Sequence, residues 1–410
     1  MMNGKKWLIG LLIAAVFAVL LVRYLDRVPK RHYCDFRVYH HAAQNVLAGN
    51  DIYYRDTMAI TPFKYSPFFA FFFCPLGVLP IKAAAAVYFT LNVLMAVLLF
   101  RLSVDIMGVS DRWRAALPGP SQSRAPLLLY GLCALFMSRF VLLVWDSGQV
   151  TILMGVLVLA ALILLEKKKE LPAGAFLAAA ILVKYTPAIF IPYLLIRRQF
   201  KAVGWTLAFL VFWLMLPALA VGFHKELSYL SSWIPSIIET SLDRWSYMDT
   251  KNQSLFSFAI RFFSECGYAI NILHLTFDQG KMLGYGLAAF LYSLVLFPPF
   301  GKARDPRIDY ALLFAFLPLF NPNGWLLNFV SLAVPYVFLV AYLIDIKGKD
   351  WFIAACVGIA FASTTLMAQD IVGNARQNQG ELFSNVTIGA LLLVTALLTL
   401  KFRRPRPLVT

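Results

Sequence analysis

The residues best suited to chemistry sit in short polar interruptions of an apolar chain. The stretch Cys34-Asp35-Phe36-Arg37-Val38-Tyr39-His40-His41-Ala42-Ala43 places a carboxylate soon after an apolar run. In a helix starting there, Asp35, Tyr39 and Ala42 share a face. Asp35 has two readings. It is an N-cap, a common role for Asp before a helix. Or it is a general base at a membrane surface, taking a proton from a sugar hydroxyl as that hydroxyl attacks an activated carbon. His40 and His41 are either plain loop histidines or acceptor contacts. In Phe63-Lys64-Tyr65-Ser66-Pro67 a lysine stands where the chain re-enters apolar surroundings. It either snorkels to the interface or binds phosphate, a task suited to a compact ammonium.

Asp146-Ser147-Gly148-Gln149 is a short turn between two apolar runs, and Gln149 would open a helix where it could hydrogen-bond a sugar. Lys184-Tyr185-Thr186-Pro187 separates two short apolar runs. A cation at a break between short membrane helices points to a cavity rather than to lipid. Asn252-Gln253-Ser254-Leu255 is followed by Arg261, which can share a helix face with Ser254. Asn321-Pro322-Asn323-Gly324-Trp325 is a polar turn, with Asn328 just beyond. The chain has no phosphate-binding glycine loop, no G-x-G-x-x-G and no D-x-D, which argues against a nucleotide site. It has no H-E-x-x-H or similarly spaced metal ligands.

These residues need a helical membrane scaffold to position them. Of 410 residues, 60% are apolar and only 14% charged. Mean hydropathy is +0.71. That composition fits a polytopic all-α membrane protein, because lipid leaves each span to satisfy its own backbone. Five cysteines without a C-x-x-C pair suggest neither a disulfide scaffold nor a metal framework. Apolar runs fall near 7–22, 83–103, 126–145, 148–166, 202–222, 281–300, 325–345, 351–369 and 383–401. Shorter ones lie near 171–184, 185–196 and 308–321, and 66–80 reads as half-inserted. The first run has no cleavage site after it and reads as an uncleaved anchor.

Threading twelve crossings with both termini in the cytoplasm puts 21 of the 37 basic residues inside, and a net +13 inside against +3 outside. Every short basic loop then falls on one side, as the positive-inside rule requires. Two long loops, 23–65 and 223–280, and a shorter one, 370–382, face outward, while 401–410 is a basic cytoplasmic tail. The whole chain reads as one membrane domain. The cations directly after the first span oppose the charge rule. They suit an anionic lipid headgroup, and in a membrane protein a net charge of +16 calls for no nucleic acid.

These elements, in this order, resemble glycosyltransferase family 87 of the GT-C superfamily. Its best-known members are mycobacterial α-mannosyltransferases that use polyprenyl-phosphate mannose. The family pattern runs D-F-x-x-Y-x-x-A-A, G-x-x-x-Y, [FK]-Y-x-P, G-Q, K-x-x-P, N-Q-S-L and a late P-x-x-W. Here it reads as Asp35 to Ala43, Gly49 to Tyr53, Lys64 to Pro67, Gly148-Gln149, Lys184 to Pro187, Asn252 to Leu255 and Pro322 to Trp325. Two places depart from it. Thr151 stands where Asn often follows G-Q, and Leu327 and Asn328 stand where the mycobacterial members carry His.

The resemblance implies a GT-C-like bundle of about 12 transmembrane helices with helical outer loops, sited in the plasma (inner) membrane of the cell envelope. It implies a hexosyltransferase that moves a mannose-like sugar from a polyprenyl-phosphate donor to a lipid or glycan acceptor on the outer face, with inversion. Asp35 would be the base. Lys64, Lys184 and Arg261 would stabilise the departing phosphate, so that no metal and no cofactor is called for. Tyr39, Gln149, Asn252, Gln253, Trp325 and Asn328 would contact sugar or acceptor. Two rivals stay open. A transporter or flippase of lipid-linked sugars would share the cationic broken helices without needing Asp35. A polysaccharide polymerase or ligase would draw on loop cations such as His224 and Arg244.

Overall fold

The computed structural model describes residues 2–30, 34–53, 63–109, 121–267, 270–297 and 305–403. Several basic residues used in the topology argument, namely Arg112, Arg114, Lys302, Arg304, Arg404 and Arg406, lie outside them, as does Arg31. The described chain is helical, and its only extended pairing is two isolated bridges. Helix α1 (Met2–Arg27) leads into α2 (Asp35–Ala48), α3 (Pro67–Phe72) and α4 (Ile81–Ile106). Then follow α5 (Ser121–Ser147), α6 (Thr151–Glu166), α7 (Glu170–Val183), α8 (Phe190–Ile196) and α9 (Phe200–Met215). The amphipathic α10 (Phe223–Leu242), the short α11 (Arg244–Met248) and α12 (Leu255–Phe263) precede α13 (Phe277–Leu296). The chain continues through α14 (Pro306–Leu319), α15 (Ala333–Asp345), α16 (Trp351–Thr364), α17 (Asn374–Leu382) and α18 (Asn385–Phe402).

Five segments among the described residues are long and apolar enough to cross a bilayer: Ile81–Ile106, Ala125–Ser147, Phe200–Val221, Leu326–Asp345 and Asn385–Phe402. Shorter apolar helices cover Thr151–Glu166, Glu170–Val183, Thr186–Ile196 and Trp351–Thr364. The protein is therefore an all-α polytopic membrane protein. The span Leu326–Asp345 is 78% buried and forms the centre, whereas Phe200–Val221 is 22% buried and turns side chains such as Val211 and Phe212 outward. In a bilayer those outward faces meet lipid. Helices α7 and α9 approach so closely that a Cβ on Gly174 would stand 2.6 Å from the Trp205 side chain. Small residues at such crossings are how membrane helices gain packing without a hydrophobic drive between them.

The breaks follow from proline chemistry. Pro335 would set its ring against the carbonyl of residue 331 in a continuous α-helix. The chain before α15 instead winds as a 3₁₀ helix over Leu326–Leu332. The 66–80 segment is a short helix and a single turn, with Pro67 in the first turn and Ser66 capping it by accepting from Phe69 N at 3.3 Å. Pro187 sits in the 3₁₀ turn Thr186–Ile189, so α7 cannot run on into α8.

Helix α6 has 16 residues and carries the chain about 24 Å. Its start, the end of α7, and the turns leading into α8 and α15 therefore gather at one end of the bundle. The other end holds three turns of one design: Lys168, Arg198 and Lys347 each adopt a left-handed backbone just past a helix C-terminus. Cations there complement the negative end of the helix dipole.

Candidate active site

At the first end lies a cavity of about 430 Å³, between the start of α2, the α7–α8 break, α10–α11 and the 321–328 segment. Six of the residues singled out in the sequence line it: Asp35, Lys64, Gln149, Lys184, Trp325 and Asn328. They come from five separate stretches of chain, Trp325 and Asn328 sharing one.

Asp35 is the first residue of α2. The N-cap position falls to Cys34, whose backbone is extended and whose side chain makes no capping bond. The capping reading of Asp35 therefore fails. Among the described residues no hydrogen bond holds its carboxylate, which faces the cavity. Burial pushes the Asp35 carboxyl up to about 6, while the Lys184 ammonium pulls it the other way. A carboxylate with these neighbours is ionised at neutral pH, yet more basic than an exposed one.

Helix α2 is fixed through Tyr39, which is fully buried and does not line the cavity. Its hydroxyl donates to Gln149 Oε1 at 2.8 Å, and the Tyr65 hydroxyl donates to the same oxygen at 3.1 Å. The Val150 N–H adds a third donor at 2.7 Å. With three donors on Oε1, the amide orientation of Gln149 is determined, and its NH₂ is the group left for the cavity. Gly148 allows this turn. Its φ is +68°, and a Cβ there would lie 2.5 Å from the Tyr24 hydroxyl and 2.7 Å from Phe36 Cβ. His40 is buried against the Leu79 carbonyl at 2.9 Å, which removes it from acceptor binding, and His41 pairs with Asn45 instead.

Lys184 directly follows α7, in extended backbone where the helix breaks. Its Nζ donates to Asn328 Oδ1 at 2.5 Å and to Thr151 Oγ1 at 3.1 Å. These two residues are where the chain departs from the family pattern. Both are neutral acceptors, so they orient the ammonium without cancelling its charge. Lys64 lines the cavity opposite α10, and its carbonyl accepts from Trp233 Nε1 at 3.4 Å.

Asn252, Gln253 and Arg261 lie beneath the cavity wall rather than on it, and all three are fully buried. Asn252 Nδ2 donates to the Ser246 and Pro322 carbonyls at 2.8 and 2.7 Å, and its Oδ1 accepts from Gly324 N at 3.0 Å. Gln253 donates to the Glu381 carbonyl at 2.8 Å and accepts from Val386 N at 3.2 Å. Arg261 donates to the carbonyls of Asp249 and Asn252 at 3.0 and 2.9 Å and to Ser384 Oγ at 2.7 Å. The bridge between Asn252 and Trp325 completes the clamp. These residues position α11 and the Trp325 loop. The structure does not bring the Arg261 guanidinium to the cavity where a phosphate ligand is needed.

Sequence reasoning passed over Trp233, Trp245, Asp243 and Asp249, which also line the cavity. One signal was available: Trp245 sits between Asp243-Arg244 and Ser246, close ahead of Asn252-Gln253. Among the described residues no group of three or more His, Cys, Asp or Glu side chains is arranged to hold a metal ion.

Two relatives share part of this chain. It is 26% identical over 205 residues to the polyprenol-phosphate-mannose-dependent alpha-(1-2)-phosphatidylinositol mannoside mannosyltransferase of Mycobacterium tuberculosis, across 48% of this chain and 46% of that one. It is 29% identical over 191 residues to the protein of the same description from Mycolicibacterium smegmatis, across 43% and 41%. The chain thus spans less than half the length of these two relatives. The family model described as Glycosyltransferase family 87 matches residues 63–322, which hold Lys64, Gln149, Lys184 and the Asn252–Arg261 clamp, with Asp35 and Asn328 flanking the match. On that match across more than half its length, the chain belongs to glycosyltransferase family 87.

Proposed function

We propose that the protein is a membrane hexosyltransferase that moves a mannose-like sugar from a polyprenyl-phosphate donor to a hydroxyl of a lipid or glycan acceptor. The observation that carries this reading is one cavity holding a carboxylate, Asp35, and a lysine held by neutral partners, Lys184. Asp35 takes the proton of the acceptor hydroxyl. The hydroxyl oxygen bonds to the anomeric carbon as the bond from that carbon to the phosphate oxygen breaks. The electron pair leaves with the polyprenyl phosphate, and attack from the opposite face inverts the anomeric centre. Lys184 and Lys64 stabilise the phosphate charge, the largest developed in the step. Trp325, Asn328 and the Gln149 NH₂ border the sugar, while Tyr39, Asn252, Gln253 and Arg261 keep the walls in place.

The basic turns at the far end of the bundle support a cytoplasmic position for that end. The cavity then opens on the outer face of the inner membrane, with both termini cytoplasmic. This supports a lipid-linked donor, which needs no nucleotide site. The test is the purified protein in detergent with radiolabelled polyprenyl-phosphate mannose and an acceptor glycoside. Transfer of label with release of polyprenyl phosphate is expected. Reconstituted protein that moves intact donor between leaflets and releases none would instead identify a flippase.

A further inference from the structure

The cavity mouth carries a feature that the transfer chemistry does not use. Trp245 on α11 lines the cavity yet is 80% exposed, and Trp233 and Trp325 line it as well. Two carboxylates flank α11. Asp243 accepts from Trp245 N at 3.2 Å and Asp249 accepts from Lys251 N at 2.8 Å, each through one oxygen.

A five-residue surface helix is an unusual object to hold so firmly. Asn252 grips the Ser246 carbonyl, Ser257 donates to the Tyr247 carbonyl at 2.6 Å, Arg261 grips the Asp249 carbonyl, and Ser246 bonds Asn323. All this order fixes an indole that no core needs. A rigid indole offers a large, flat apolar contact at low entropic cost. Trp residues of a membrane belt occupy apolar stretches at the headgroup level. Here the exposed neighbours along the chain, Asp243, Arg244 and Lys251, are polar, while Tyr247 is buried and Met248 packs against the core. Ligand sites characteristically join such aromatic walls to a few placed polar groups.

We propose that the mouth is an acceptor site for a neutral carbohydrate, in which Trp245, with Trp233, stacks on the apolar face of a sugar while Asp243 and Asp249 accept from its hydroxyls. This rests on the transferase reading and narrows its acceptor from a lipid or glycan to an uncharged sugar. A carboxylate accepts hydroxyl hydrogen bonds strongly and repels a phosphate. An anionic group is accordingly directed inward to Lys184 and Lys64, and an acidic headgroup is disfavoured at the mouth.

The test uses the purified full chain, saturating polyprenyl-phosphate mannose, and octyl α-mannoside, octyl β-glucoside and octyl β-galactoside as acceptor probes, with phosphatidylglycerol as the anionic comparison. Wild type should glycosylate at least one neutral glycoside and leave phosphatidylglycerol untouched. Trp245→Ala should raise the KM of that glycoside about tenfold, the size of one good aromatic contact, with donor KM unchanged, and Trp245→Tyr should restore most of the loss. An unchanged acceptor KM in Trp245→Ala overturns the proposal. So does a donor KM that rises in step, because the indole would then hold the prenyl chain or the bilayer. A wild type that consumes donor but glycosylates none of the three neutral probes also overturns it. Failure of the transferase reading looks different, because no polyprenyl phosphate is then released by any variant.

Discussion

At the scale of single residues, the proposed mechanism turns on two opposite charges in one cavity. Asp35 has its carboxyl raised to about 6 by burial. As a base it must be ionised, so kcat/KM should fall as pH drops through about 6, on a single-proton limb. An acid limb near 4 would mean that Asp35 is solvated or not the base. The same shift has a sign for stability. The folded value lies above the ordinary 3.8, so ionising Asp35 costs the folded state stability as pH rises from there to above about 6. Asp35→Asn should therefore be at least as stable as wild type at pH 7, read as Tm. Lys184 is held by the neutral side chains of Thr151 and Asn328, and among the described residues no carboxylate is hydrogen-bonded to it. Lys184→Met should keep expression and Tm close to wild type and raise donor KM by tenfold or more, on the order of the 1.5–3 kcal/mol of a charged hydrogen bond. Collapse of the fold with normal donor KM in the surviving protein would make the lysine structural.

At the scale of elements, the division between wall and clamp makes a sharper forecast for Arg261. Its removal leaves the carbonyls of Asp249 and Asn252 short of a donor inside the protein. Arg261→Gln should cost about 1–3 kcal/mol of stability, seen as a lower Tm, without a selective rise in donor KM. A donor-specific defect at normal Tm would return Arg261 to the phosphate. The helices were legible because apolar length and proline breaks act locally. The runs near 83–103 and 383–401 became Ile81–Ile106 and Asn385–Phe402, and the break at Lys184 fell where Pro187 demands it. Asp35, Lys64, Gln149, Lys184, Trp325 and Asn328 were legible as cavity-lining residues because a polar group in an apolar chain is costly unless it lines a cavity. Arg261, Asn252 and Gln253 were equally polar, but nothing local tells a buried clamp from an exposed ligand. That distinction depends on which distant carbonyls, such as those of Pro322 and Glu381, the fold brings within reach. Trp245 was missed for the converse reason, since a lone Trp reads as core or interface until its surroundings are known.

At the scale of the whole molecule, charge is sorted along the bundle. Lys168, Arg198 and Lys347 sit at the end remote from the cavity, and on the proposed topology, which follows the positive-inside rule, that end is cytoplasmic. Single-cysteine labelling in intact cells should therefore reach the exposed positions 245 and 376 from outside and positions 168, 198 and 347 only after permeabilisation. The opposite pattern would put the cavity on the wrong face for an outer-leaflet donor. The central claim joins this architecture to its chemistry: the cavity transfers a sugar, and Asp35 is the base that does it. The most direct measurement is the turnover of purified wild type and Asp35→Asn, side by side, with polyprenyl-phosphate mannose and a neutral octyl glycoside. Base catalysis is worth about 10²–10⁴-fold, so Asp35→Asn should lose turnover by that factor while still binding donor. Turnover of Asp35→Asn within about twofold of wild type, far inside the range set by base catalysis, would contradict the base role of Asp35.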